Sequence, residues 1–213
     1  MTIQETEKLR DQLQKSCDSL VKNIGQIPIG TPDLFPYGWR KAAKGRTVWR
    51  IVEEIIVQNL EKHHNKFNVD SVQLPNSEVD VYDMKCVYGN AEAYINIKSS
   101  VVGGKQQKDD LSKAEGLKDF YAADTNKQLF VATFYIQFND NMSIEITKAV
   151  VYPIAWISDI YVNPSNNGNL QSASYKDLGK AQKRTNAEFI ALLHDAIQVA
   201  KKKRQRNRKQ KQK

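Results

Sequence analysis

The chain has 213 residues, enough for one sizeable core arranged as one large or two small domains. Its 40% hydrophobic and 26% charged residues are ordinary for a globular protein. No apolar run approaches 18 residues and the polar start MTIQETEKLR does not read as a signal peptide, so no membrane contact and a cytoplasmic location are expected. The net charge of +8 is unevenly spread, because residues 201–213 hold nine Lys or Arg and no acid. Without them 23 basic residues face 24 acidic ones, and the rest of the chain stands at −1. Such a basic tail is expected to be disordered, either merely solvated or bound to polyanions without sequence preference. Cys17 and Cys86 are too few and too far apart for a disulfide framework or a zinc site, and are expected as reduced thiols.

In chain order, Leu9, Leu13, Cys17, Leu20 and Ile24 form one stripe of an amphipathic helix over residues 3–24. That stripe suits either the body of the protein or a second subunit. Gly and Pro then crowd residues 25–46, an arm ordered by Phe35, Tyr37 and Trp39. Residues 1–46 thus read as a helix and arm for dimerisation or DNA contact. Residues 47–63 carry a continuous apolar helical face, with Glu53 at its border and Glu54 nearly opposite. Residues 78–100 read as two strands around the turn residues Tyr88, Gly89 and Asn90. Asn96 and Lys98 share one face of the second strand, and a simple register sets Asp80 across from it. A Gly-containing, amide-rich and basic loop follows, then a helix marked by Leu111, Ala114, Leu117 and Tyr121. Two apolar runs near residues 128–138 and 144–151 predict buried strands. Residues 153–162 continue as an irregular strand, followed by an Asn-rich loop at 163–172. Thr185 and Glu188 make a capping box that opens the last helix, whose buried face is expected to be Phe189, Leu192, Leu193, Ala196 and Ile197. This order predicts an α/β domain with a mixed sheet over residues 47–200.

An acid, an amide and a lysine beside an apolar core suit phosphodiester hydrolysis. Hard cations such as magnesium take carboxylate and carbonyl oxygens, and a lysine steadies the developing charge. Asp80 and Glu53 offer carboxylates, Ile97 its carbonyl, and Lys98 the ammonium. Taken alone the set is common on surface strands.

Asp80 followed by Asn96-Ile97-Lys98, with Glu53 on the preceding helix, resembles the PD-(D/E)xK nuclease motif. More narrowly, four segments in order resemble the EcoRV-like type II restriction endonucleases. They are residues 35–38, residues 93–100 with Asp80 sixteen positions before Asn96, the loop at 163–172, and residues 174–177. The resemblance implies a restriction-endonuclease-like mixed central sheet flanked by helices, a homodimer, Mg2+, and blunt cutting of double-stranded DNA at a short palindrome. It makes Asp80, Asn96 and the Ile97 carbonyl the metal ligands and Lys98 the catalytic lysine. Glu53 becomes the auxiliary acid, or Glu54 after a one-residue shift. Val79 replaces the family's proline, which does no chemistry. Asn96 stands where the family has an acid and brings no charge. Either an Asp→Asn exchange inactivates the chain, or the enzyme uses Asn with altered metal affinity; Ile-Asp-Ile-Lys-Ser-Ser would fit the family better.

The loop at 163–172 corresponds to that group's recognition loop in the major groove. Asn163, Asn166, Asn167, Asn169 and Gln171 have amides able to pair with adenine edges, beside Ser165, and Gly168 permits close backbone approach. Gln106 and Gln107 suit the minor groove or backbone, and Lys105 and Lys108 suit phosphates. His63, His64 and His194 have no partner spacing and read as structural or solvated. Two competing readings are a junction or repair nuclease of the same superfamily, and a catalytically dead, sequence-specific DNA-binding protein.

Overall fold

The computed structural model describes residues 2–77, 80–104, 107–165 and 168–211. The first half contains α1 (Ile3–Ile24), β1 (Gln26–Pro28), α2 (Gly45–His63), β2 (Ser71–Gln73), β3 (Met84–Tyr88) and β4 (Ala91–Val101). The second contains β5 (Asp109–Lys113), α3 (Ala114–Ala123), β6 (Gln128–Phe138), β7 (Ser143–Pro153), β8 (Tyr161–Val162), β9 (Asn169–Ser172) and α4 (Asn186–Lys211). Six strands form one mixed sheet in the order β1-β7-β6-β4-β3-β2, where β4 and β6 run parallel and the other neighbours antiparallel. A second, small sheet has the order β5-β9-β8. The expected α/β class with a mixed, helix-flanked sheet is what the structure shows.

Alternation along the central strands divides the core in two. Ile95, Ile97, Phe130, Ala132 and Phe134 pack under α1 and α2, while Tyr94, Leu129 and Val131 pack under α3 and α4. β6 is buried on both faces along most of its length, which is why residues 128–138 read as an apolar run, whereas β4 keeps its alternation although residues 93–97 are all buried. Leu9, Leu13, Cys17 and Leu20 lie inside the first core, so the stripe on α1 covers the sheet of its own chain. Trp39 anchors the arm by packing edge-on to Phe138 and donating from Nε1 to the Asn139 carbonyl at 2.7 Å. Tyr37, expected to help bury the arm, is exposed beneath the Arg40 guanidinium. Cys17 and Cys86 are free, buried thiols.

Three local expectations change. Leu111 belongs to β5, not to the helix that follows, because β5 finds its partner 60 residues away in β9. The segment at 163–172 is not all loop, since its second half is β9. The tail expected to be disordered continues α4 to Lys211. Lys, Arg and Gln are strong helix formers, and a helix already nucleated by buried residues propagates into them at little cost. The Thr185–Glu188 capping box is present, with the Thr185 N–H donating to the Glu188 carboxylate at 2.7 Å and the Glu188 N–H to Thr185 Oγ1 at 3.3 Å. On α4 Phe189, Leu193, Ile197 and Ala200 are buried, whereas Leu192 is exposed. Among the described residues no helix is long and apolar enough to cross a membrane.

Candidate active site

β4 carries the centre. The turn at Gly89 (φ 59°) pairs Tyr88 with Ala91, and the ladder continues to Met84 opposite Ile95. One step further lies Asp83. Its N–H donates to the Ile95 carbonyl at 2.8 Å, and its Oδ2 accepts the Ile97 N–H at 2.6 Å. Asp83, rather than Asp80, therefore closes the hairpin against the strand that bears Asn96 and Lys98. Asp80 is exposed in the irregular stretch before β3, and it lines an open cleft together with Asn96, Lys98 and Asp110.

The half-buried Lys98 stands among carboxylates. Burial pulls its ammonium below the usual lysine value, and Asp83, Glu53, Asp110 and Asp109 act in the opposite direction. Asp83 is raised above the ordinary carboxyl value by burial, against the Ile97 N–H and the charges of Lys98 and Arg50. Glu53 is raised by burial and by Asp83, against Arg50 and Lys98. α2 thus turns Glu53 toward Asp83 and Lys98. Glu54, by contrast, is exposed and accepts from Gln58 Nε2 at 2.7 Å.

Asn96 is buried, and its Nδ2 donates to the carbonyls of Val81 and Leu111, each at 3.1 Å. These bonds tie β4 to the Asp80–Asp83 stretch on one side and to β5 on the other. Its Oδ1 is buried with no hydrogen-bond partner.

β5 joins this centre to the small sheet. Asp109 Oδ2 accepts from Tyr175 Oη at 2.7 Å and from Lys176 Nζ at 2.6 Å, and Lys176 also reaches Ser100 Oγ at 3.3 Å. Asp110 accepts from Asn169 Nδ2 at 3.0 Å and from Gln171 Nε2 at 2.6 Å. Asn169 and Gln171, expected to face bases, here turn their amides onto Asp110. Asn163 caps its own turn, its Oδ1 accepting the Ser165 N–H at 2.9 Å and Oγ at 2.8 Å. Gly168 adopts φ 75° and its carbonyl accepts the Ala114 N–H at 3.1 Å. Lys108 lies over the Tyr161 ring and Gln107 is exposed. Lys105, Gln106, Asn166 and Asn167 lie outside the described residues.

Sequence reasoning missed Asp83, Asp109, Asp110, Tyr175 and Lys176 as members of the centre. Counting back from the Gly89 turn would have found Asp83, since pairing Tyr88 with Ala91 sets residue 83 opposite residue 96. Asp109 and Asp110 gave no local signal, because their places depend on β9 and on residues 175–176.

Among the described residues no group of three or more Asp, Glu, His or Cys side chains is close enough to cage a metal ion. Magnesium needs no such cage, since it keeps several waters and takes one or two carboxylates together with substrate phosphate. The partnerless Asn96 Oδ1 and the cleft-lining Asp80 are hard oxygen donors of the type it selects, so the residues present fit that ion. In comparisons with known protein-family models and with curated proteins, the chain matches none. Fold and site together define a mixed α/β protein with a lysine among carboxylates near the end of an interior strand of its central sheet.

Proposed function

We propose that the protein is a magnesium-dependent endonuclease for double-stranded DNA, of the type II restriction kind, acting as a homodimer on a short palindrome. The supporting observation is Lys98, half-buried on β4 with Asp83 and Glu53 to one side and Asp80, Asn96 and Asp110 along an open cleft. A lysine held among carboxylates beside a cleft is what phosphoryl chemistry asks for, since negative charge builds on the phosphate as water attacks.

Asp80, Asn96 Oδ1 and the Ile97 carbonyl would hold Mg2+, with Asp110 a further carboxylate in the same cleft. The ion, when bound, supplies a Lewis acid and a more acidic water. Lys98 places its ammonium against the non-bridging phosphate oxygens. Asp83 fixes the strand beneath it by accepting the Ile97 N–H, and so orients both Lys98 and the Ile97 carbonyl. The charge of Asp83 raises the proton affinity of Glu53 beside it. Asn163–Ser165 and β9 would face the major groove, and Asp110 links β9 to the cleft through Asn169 and Gln171. A twofold protein would present two such centres to a twofold site.

Digestion of a long, sequence-known DNA with Mg2+ by the chain and by Asn96→Asp tests this reading. Discrete fragments with one common end sequence are expected, and sedimentation should give twice the 24.3 kDa chain mass. A smear, or no cutting by either form, would sink it. One observation favours a second reading, a DNA-binding protein without catalysis: the Asn96 amide is committed to two backbone carbonyls. Sequence-specific duplex binding with no cleavage by Asn96→Asp under any divalent cation would favour that reading.

A further inference from the structure

The end of α4 is a charged surface that the centre does not use. Residues 201–211 contain only Lys, Arg, Gln and Asn, and of residues 201–210 all but Arg204 are exposed. Two contacts fix the start of this stretch. Lys201 pairs with Glu115 of α3 at 2.6 Å, and Arg204 Nε donates to the Pro164 carbonyl at 2.8 Å. The second contact ties α4 to the turn between β8 and β9, and Arg204 Nη2 lies 3.9 Å from where a Cβ on Gly168 would stand. Beyond Arg204 the helix runs on for roughly 10 Å at 1.5 Å per residue.

The helical period sorts these cations. At 100° per residue Lys201, Arg204 and Arg208 fall on the anchored side, while Lys202, Arg206 and Lys209 lie within about 60° of one another on a second side, centred about 130° around the helix from the first. Those three form a row about 10 Å long with no acid among residues 201–213 to neutralise it. Cations one turn apart repel one another, so an opposite charge along the row relieves strain in the helix. The stretch has no apolar residue and therefore no face for a lipid surface, which an amphipathic membrane helix requires. A polyanion with regularly spaced charges is the partner that fits.

We infer that the basic end of α4 is a rigid phosphate-binding arm that lies along the duplex backbone beside the 163–172 element, with Lys202, Arg206 and Lys209 as its contacts. The inference rests on the proposed seating of that element on DNA. It supplies non-specific affinity that the near-neutral body, at −1, does not. Because Arg204 ties the arm to the turn after β8, phosphate contact and base contact are made by two elements held together.

Its test needs no cleavage. Anisotropy of a labelled random-sequence 20-base-pair duplex is measured without divalent cation, across a salt series, for the chain and for Lys202→Ala/Arg206→Ala/Lys209→Ala. Alanine is the best helix former, so the variant keeps the helix, and circular dichroism checks it. The plot of log affinity against log salt should flatten by about 2.7, or 0.9 for each lost phosphate contact, with affinity at least tenfold weaker at low salt. Lys202→Arg/Lys209→Arg should bind like the parent. An unchanged slope in the triple variant overturns the arm and leaves the nuclease reading standing. Failure of the parent to bind any duplex overturns both. Binding to anionic phosphatidylserine vesicles in preference to duplex also overturns the arm.

Discussion

At the scale of single residues the centre turns on position 96. Asn96 satisfies two backbone carbonyls with one NH2 group, a bond pair that a carboxylate has no donor to make. Asn96→Asp should therefore lower stability in metal-free buffer, by about 1–3 kcal/mol for the buried acceptors left unmet. Mg2+ should restore part of that loss, because a cation beside the introduced carboxylate compensates its charge. Thermal melts of both forms with and without Mg2+ check this, and an equal response in the two would contradict it. Asp83 gives a second handle. Burial raises its folded-state proton affinity, so the folded chain holds a proton that the unfolded chain releases first. Its contribution is most favourable below the ordinary carboxyl value, falls as pH rises through the raised value, and then levels off. Asp83→Asn removes that decline, so the difference in Tm between about pH 4 and about pH 8 should be smaller in the variant than in the parent. In the Asn96→Asp background the same change should cost at least about a hundredfold in cutting rate, if Asp83 orients the strand under Lys98.

At the scale of elements, α1 belongs to the first core. Leu13→Ala should cost about 2–5 kcal/mol, measured by denaturant unfolding, because Leu13 is fully buried against the sheet. Little effect would return α1 to the role of a detachable arm. The long elements were legible in sequence for a plain reason. α1, α2 and α4 each present several turns of periodic apolar residues, and β6 is a long, largely apolar and aromatic run. What escaped was set by pairing at a distance. The spacing of Leu111, Ala114, Leu117 and Tyr121 fits a helix, yet β9 recruits residues 109–113 into a strand. That recruitment carries Asp109 and Asp110 to Lys98, so two of its acidic neighbours were invisible to local periodicity. Lys98, Asn96 and Glu53 were legible because strand alternation and the helical period fix their faces. The sixteen-residue interval before Asn96 points to Asp80, whereas Asp83 shows itself only through the hairpin register, which the Gly89 turn determines.

At the scale of the whole molecule, charge and fold are partitioned along the chain. The body is near neutral and holds both cores, while the last thirteen residues carry a net +9, and of residues 201–210 on α4 only Arg204 is not exposed. Stability and polyanion affinity should then be separable. A chain ending at Ala200 keeps Phe189, Leu193 and Ile197 in the second core and loses only surface contacts, which contribute little. Its Tm should stay within about 4 °C of the parent, a shift of the size that 1 kcal/mol produces in a chain this long. Its net charge falls from +8 to −1, so retention on an anionic column near neutral pH should be lost together with the non-specific duplex affinity. A large fall in Tm with retained binding would reverse the assignment, making the basic helix a strut of the fold and placing the affinity for phosphate on the body.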